Sequence, residues 1–204
     1  MPEPESPAER LRDLEREVER LRGELVRVAA LDELTGLPPA ERCTRHLHEE
    51  WLRSARLNRR TDWPLSIVLL DIDFLSVLND HYGAGIGDEC LRQVARFLAA
   101  IAQRPGDLAA RLEGGRFALV LPGTDNHAAR AIAESLRQRV AELQLSGARV
   151  TASLGVATTR PHENSAPASL LQGAEGALRR AKQAGRNRVA WAADPHEGFA
   201  EPRA

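Results

Sequence analysis

The chain has 204 residues, 43% of them hydrophobic and 28% charged, enough for one well-buried domain and an appendage. Its formal net charge of -1 excludes a global field that would draw it to nucleic acid or an acidic membrane, so its partners have to be read from local sites. The longest apolar runs, such as Ile67 to Leu70, are far below the roughly 20 residues of a bilayer span, and the acidic, proline-rich start MPEPESPAER lacks the pattern of a secretory signal. A cytoplasmic location with neither membrane nor nucleic-acid partners is the expectation. Cys43 and Cys90 form no closely spaced cysteine pair and are expected to be two reduced thiols.

Residues 1–9 are expected to be a disordered lead-in. From residue 10 to 30, Leu11, Leu14, Val18, Leu21, Leu25 and Val28 recur at alternating spacings of three and four between charged residues. This a/d stripe predicts a coiled-coil helix that dimerises through residues 11–28, with an amphipathic helix lying on its own domain as the alternative. Pro38 and Pro39 open a helix to about Asn58, and LSIVLLD (65–71) reads as an apolar strand. A helix from about Ile86 to Gln103 follows. Then come strand Leu108–Glu113, a glycine turn and strand Phe117–Leu121, a β-hairpin. An apolar stripe predicts a helix over His127–Leu143, and a last helix is expected from about Ala168 to Ala184. Alternation predicts a strand over Arg149–Val156, and a last strand covers Arg188–Trp191. The element order makes this an α+β domain over residues 31–192, a mixed sheet with helices packed on it, with 193–204 a frayed tail.

Five stretches carry more than periodicity: LDELTGLP (31–38), DIDFLSVLNDHYGAGIGDECL (71–91), RPGDLAARLEGGRFALVLPGT (104–124), TASLGVA (151–157) and AEGALRRAKQAGRNRV (174–189). In order and spacing they resemble the motifs of GGDEF domains, the diguanylate cyclases and their relatives. The resemblance implies a central sheet of about five strands with surrounding helices, related to the palm of nucleotidyl cyclases and polymerases. It also implies a reaction in which two GTP molecules, one on each of two facing domains, condense to cyclic di-GMP.

Laid on the family signature, Phe117 holds the Phe, Arg116 the Glu, Gly115 the Asp, Gly114 the second Gly and Glu113 the first, so EGGRF stands where GGDEF is usual. In the family the two acids of that turn and the acid matched by Asp71 support metal binding and attack by the 3'-hydroxyl. Hard Mg²⁺ wants oxygen ligands, and a guanidinium offers none. The family's lysine shortly after the position of Asp73 is Ser76 here, and the His of its YGH is Ala84. No catalytic set is intact, Asp71 and Asp73 are remnants, and no metal is expected, with Asp71 the ligand if there is one. Mg²⁺ belongs only to the alternative in which cyclase activity survives, with Glu113 standing in for a lost carboxylate. Arg116 is expected to lie beside Asp71 and Asp73 and to neutralise both as a bidentate partner in place of the metal.

Other matched positions are kept. Asn79 and Asp88 match the guanine-reading pair: a carboxylate accepts from guanine N–H groups and an amide complements it. Lys182, the chain's only lysine, and Arg186 match the pair that holds phosphates, so weak GTP binding is possible. Arg104 and Asp107 form an RxxD where the family carries an inhibitory cyclic di-GMP site, with Arg130 or Arg137 as the second arginine. Arginine suits that ligand through its planar fork and stacking surface. The leading expectation is therefore a catalytically inactive cyclic di-GMP receptor that signals through its dimer to an unknown protein partner. A surviving cyclase or a nucleotide-independent scaffold are the alternatives.

Overall fold

The computed structural model describes residues 10, 13, 16, 18, 20, 31–59, 61–163 and 165–192. Of the a/d stripe only Val18 is among them, helical and 45% exposed; the lead-in, most of the coiled-coil segment and the tail lie outside the described residues. The domain runs α1 (Ala40–Leu57), β1 (Leu65–Ile72), α2 (Leu75–Tyr82), α3 (Ala84–Ile101), β2 (Leu108–Arg111), β3 (Arg116–Pro122), α4 (Asn126–Ala141), β4 (Gln144–Leu145), β5 (Ala148–Arg149), β6 (Ala152–Thr159), α5 (Pro167–Gln183) and β7 (Val189–Trp191).

Five strands form one sheet in the order β2-β3-β1-β6-β7, with β1 antiparallel to both its neighbours and β7 parallel to β6. Helices cover both faces, which is why β1 reads as a continuous apolar run. Its alternate residues serve different layers. Val68, Leu70 and Ile72 pack with Leu91, Val94 and Leu98 of α3 and Leu136 of α4. Leu65, Ile67 and Leu69 pack with Leu47 and Trp51 of α1 and Leu170 and Leu178 of α5. The polar exception, Ser66, is fully buried and satisfied: its hydroxyl donates to the Thr124 carbonyl (2.7 Å) and lies 2.7 Å from the Thr158 hydroxyl.

The helices predicted within residues 31–192 and the β2–β3 hairpin are present with small shifts at their ends. Two elements depart from expectation. Leu75–Tyr82 forms the short helix α2, closed by Gly83 at φ 84°, where no element was predicted. The strand expected from Arg149 begins at Ala152, because Gln144–Leu145 and Ala148–Arg149 pair with each other around a two-residue turn at Ser146 and Gly147, both with positive φ.

Helix α5 rests directly on β6. A Cβ at Gly155 would stand 2.2 Å from the Ala174 carbonyl oxygen and 2.4 Å from the Leu178 nitrogen, so only glycine lets the two backbones approach this closely. Neither neighbour is a flexible side chain that could yield. Gly155→Ala is therefore expected to cost about 3 kcal/mol or more by forcing α5 off the sheet, read as a drop in the urea midpoint. A loss below 1 kcal/mol would contradict this contact.

Candidate functional site

Two acids stand where β1 leaves the sheet. Asp73 is 7% exposed and fully engaged: its carboxylate accepts from Ser153 Oγ (2.7 Å), Thr151 Oγ1 (2.8 Å) and the Asn187 N–H (3.1 Å). It ties the start of β6 to the turn after α5, a structural task that uses both oxygens. Asp71 lies opposite Arg116 in the β1–β3 register. The residue in closest contact with it, however, is Lys182, whose ammonium donates to Asp71 Oδ2 at 2.6 Å. Arg116 Nε stays 3.8 Å from the same oxygen, an ion pair without a hydrogen bond. The expectation that Arg116 grips both Asp71 and Asp73 is thus corrected: a lysine holds one acid, and hydroxyls and a backbone N–H hold the other.

The reason lies in α5. Leu170, Ala174 and Leu178 form its stripe against the sheet, and Lys182, one turn further, continues that stripe past the sheet's end to the last carboxylate of β1. The ammonium that sequence matching assigns to phosphates is spent on Asp71. The donor set does not fit Mg²⁺, which needs several free oxygens. Gly115 and Arg116 bring no carboxylate, Glu113 is 81% exposed and 3.9 Å from Arg116 Nη1, Ser76 is exposed on α2, and Ala84 opens α3.

On the side of α2 that faces α3, Asn79 and Asp88 are brought near each other. Asn79 Oδ1 is buried and has no hydrogen-bond partner, and it would lie 1.8 Å from a Cβ at Gly87, the residue preceding half-buried Asp88. A buried acceptor left open is the kind of group that a ligand N–H completes. Arg186, at φ 61°, stacks its guanidinium 4.4 Å over the Phe74 ring.

The hairpin tip is fixed from behind. Arg111 donates through Nε and Nη2 to the Gly114 carbonyl (3.2 and 3.0 Å) and through Nη1 to both oxygens of Asp32 (2.9 and 3.1 Å). Asp32 also accepts from the Thr35 N–H (2.9 Å) and hydroxyl (2.6 Å). Burial pushes the Asp32 carboxyl up, but the Thr35 and Arg111 donors outweigh it and hold the group below the usual carboxylate range. Sequence reasoning quoted this LDELTGLP stretch without giving Asp32 or Arg111 a role.

Arg104-Pro105-Gly106-Asp107 closes as a tight turn, with Gly106 at φ 94° and Pro105 preceding it. The Asp107 N–H donates to the Arg104 carbonyl (3.0 Å), and Asp107 Oδ2 accepts from the Arg104 N–H (3.1 Å). Helix α1 buttresses the turn: His46 Nε2–H donates to the Gly106 carbonyl (2.7 Å), and Glu50 is buried nearby, paired with Arg53 at 3.3 Å. Burial raises the Asp107 carboxyl above its ordinary value; the Arg104 N–H and charge pull it down, Glu50 pushes it up and His46 opposes Glu50. The Arg104 side chain is exposed. The expected second arginines are elsewhere. Arg130 stacks 4.2 Å over Trp191 of β7, and Arg137 binds Glu134 and Asn187. Both serve the β6–β7 edge, whereas the RxxD turn leads into β2 at the other, so one chain does not bring them together.

Residues 29–188 match the family model described as the GGDEF domain of diguanylate cyclases. The chain belongs to the GGDEF family. Diguanylate cyclase DgcM of Escherichia coli K12 is 44% identical over 126 residues, which are 61% of this chain and 30% of that protein. The response regulator PleD of Caulobacter vibrioides is 36% identical over 168 residues, 79% of this chain and 36% of its own. The chain thus spans about a third of the length of these relatives. The coiled coil and GGDEF domain of DgcB from Caulobacter crescentus, solved in complex with c-di-GMP, superposes with a TM-score of 0.74 at 30% identity, covering 92% of this chain and 100% of that one. In this GGDEF domain β1 is central and the β2–β3 hairpin lies beside it.

Asp32→Ala is expected to destabilise by about 1–3 kcal/mol at neutral pH through loss of its charged hydrogen bonds. The folded carboxyl titrates below the unfolded reference of 3.8, so this stability is present above that value and is lost as pH falls through the folded one. Urea titrations of parent and variant should converge in acid. A gap independent of pH would show that the Asp32 charge plays no part.

Proposed function

We propose that this GGDEF domain is degenerate, does not cyclise GTP, and serves as a receptor for cyclic di-GMP. The observation that carries the reading is the state of Asp71, whose carboxylate receives the Lys182 ammonium at 2.6 Å and faces the Arg116 guanidinium at 3.8 Å. Two cations stand around the acid that a magnesium-dependent transfer of a phosphoryl group would need free. Rescue by Glu113 finds no support, because that side chain is exposed at the hairpin tip and pairs with Arg116.

Cyclic di-GMP engages the RxxD turn, where Arg104 presents an exposed guanidinium and Asp107 a partly buried carboxylate on a turn braced by α1. The complex of c-di-GMP with the related DgcB domain supports this choice of ligand. Because Arg130 and Arg137 serve the opposite sheet edge, a second arginine for the ligand comes from another chain or another part of the surface. Dimerisation through residues 11–28, weak GTP binding by Asn79, Asp88 and Arg186, a protein partner for output and a cytoplasmic location complete the proposal. Among the described residues no helix is long and apolar enough to cross a membrane.

Calorimetry and product analysis test it. Cyclic di-GMP should bind the parent, and Arg104→Ala should weaken it by about 2–3 kcal/mol through loss of a charge-assisted phosphate contact. Incubation with GTP and Mg²⁺ should yield no cyclic di-GMP above a blank. Equal affinity in the variant removes Arg104 from the site, and steady turnover of GTP refutes degeneracy.

A further inference from the structure

A cavity of about 270 Å³ lies between α2 and the segment joining β5 to β6. It sits on the side of α2 away from Asn79 and Ser76. At helical spacing, Phe74, Val77, Leu78, His81 and Tyr82 share its side, and Arg149, Val150 and Thr151 form the opposite wall. At this size it admits a single ring system and is too small for a dinucleotide.

Three features of its lining agree. First, Phe74, Val77 and Tyr82 are 58%, 47% and 48% exposed, so one short helix and the residue that precedes it place two aromatic rings and an apolar side chain in solvent around one opening. Second, Phe74 has left-handed backbone angles (φ 57°, ψ 34°), a costly conformation for a bulky residue that persists only where its surroundings impose it. That conformation sets the ring at the mouth, with the Arg186 guanidinium stacked on it. Third, the charge is one-sided. Asp73 is the cavity's only carboxylate, and both its oxygens are bound by three donors. Arg149 is exposed and has no acidic partner among the described residues, and His81 keeps Nε2 uncommitted because Nδ1 bonds the Val77 carbonyl (3.0 Å).

We propose that this cavity binds one planar aromatic ring bearing an anionic group, the chemistry of a nucleoside monophosphate. The ring stacks against Phe74 and Tyr82, and the anion is held by Arg149 at the rim. Stacking accepts any base, so the site selects a nucleotide without reading which one. This site is separate from both the RxxD turn and the guanine-reading side of α2, and it holds whether or not the domain is a cyclic di-GMP receptor.

Calorimetric titration of the full chain with adenosine 5'-monophosphate (AMP) tests the proposal. Adenine lacks the N1–H and N2–H donors suited to Asn79 and Asp88, which keeps this result apart from any guanine-specific binding. One AMP should bind per chain, and adenosine should bind about tenfold or more weakly. Arg149→Glu should weaken AMP by about tenfold or more, as should Phe74→Asn, which keeps a residue tolerant of the left-handed turn while deleting the ring. Melting curves should show both variants folded, and Asp88→Asn should bind AMP like the parent. No binding up to about 5 mM AMP, binding that either cavity variant leaves unchanged, or binding lost in Asp88→Asn would overturn it.

Discussion

A carboxylate at the end of a central strand, only 14% exposed, has to be compensated by something, since a partly buried charge without a partner destabilises the fold. In this chain the compensation for Asp71 is a lysine carried in by a helix. The pairing depends on a backbone contact one and two turns back along the helix: Gly155 lets α5 sit directly on β6, and that seating sends the stripe of Leu170, Ala174 and Leu178 on to Lys182 and the carboxylate. Arg116 then adds a second positive charge at ion-pair distance. Packing thus determines the electrostatics of the site, and the electrostatics decide which chemistry it can host.

Around this closed centre the remaining motifs act as braces. Asp73 gathers Thr151, Ser153 and Asn187, and so joins β1, the start of β6 and the turn after α5. Arg111 joins the hairpin tip to the Asp32–Thr35 turn, which lies where the N-terminal segment enters the domain. His46 joins α1 to the RxxD turn. Each brace links a loop that bears functional side chains to a regular element, the arrangement that lets a surface turn hold a fixed geometry.

Much of this was legible in the sequence. The apolar run of β1 and the stripes of α3 and α4 reflect local periodicity, glycines marked the β2–β3 hairpin, prolines marked the start of α1, and the resemblance to the family implied a central sheet of about five strands. Helix α2 was not legible because its eight residues bury only Leu78, too little for a stripe to stand out. The β4–β5 pair was hidden because Ser146 takes a left-handed turn position without being glycine or asparagine. Lys182 had been matched to phosphates and Arg116 to both acids; which cation reaches Asp71 depends on the seating of α5 on β6, a tertiary distance that spacing along the chain does not encode. Arg130 and Arg137 were placed by proximity in sequence to the RxxD, whereas the sheet order sends α4 to the other edge.

The central claim is that Asp71 is neutralised from within the chain by Lys182. Lys182→Met keeps the aliphatic stem and removes only the ammonium, so the most direct measurement is a double-mutant cycle of urea stability that combines it with Asp71→Asn. The account predicts that Lys182→Met alone destabilises by about 1–3 kcal/mol and costs little once residue 71 is already uncharged. A loss that is the same in both backgrounds, or no loss in either, would contradict it.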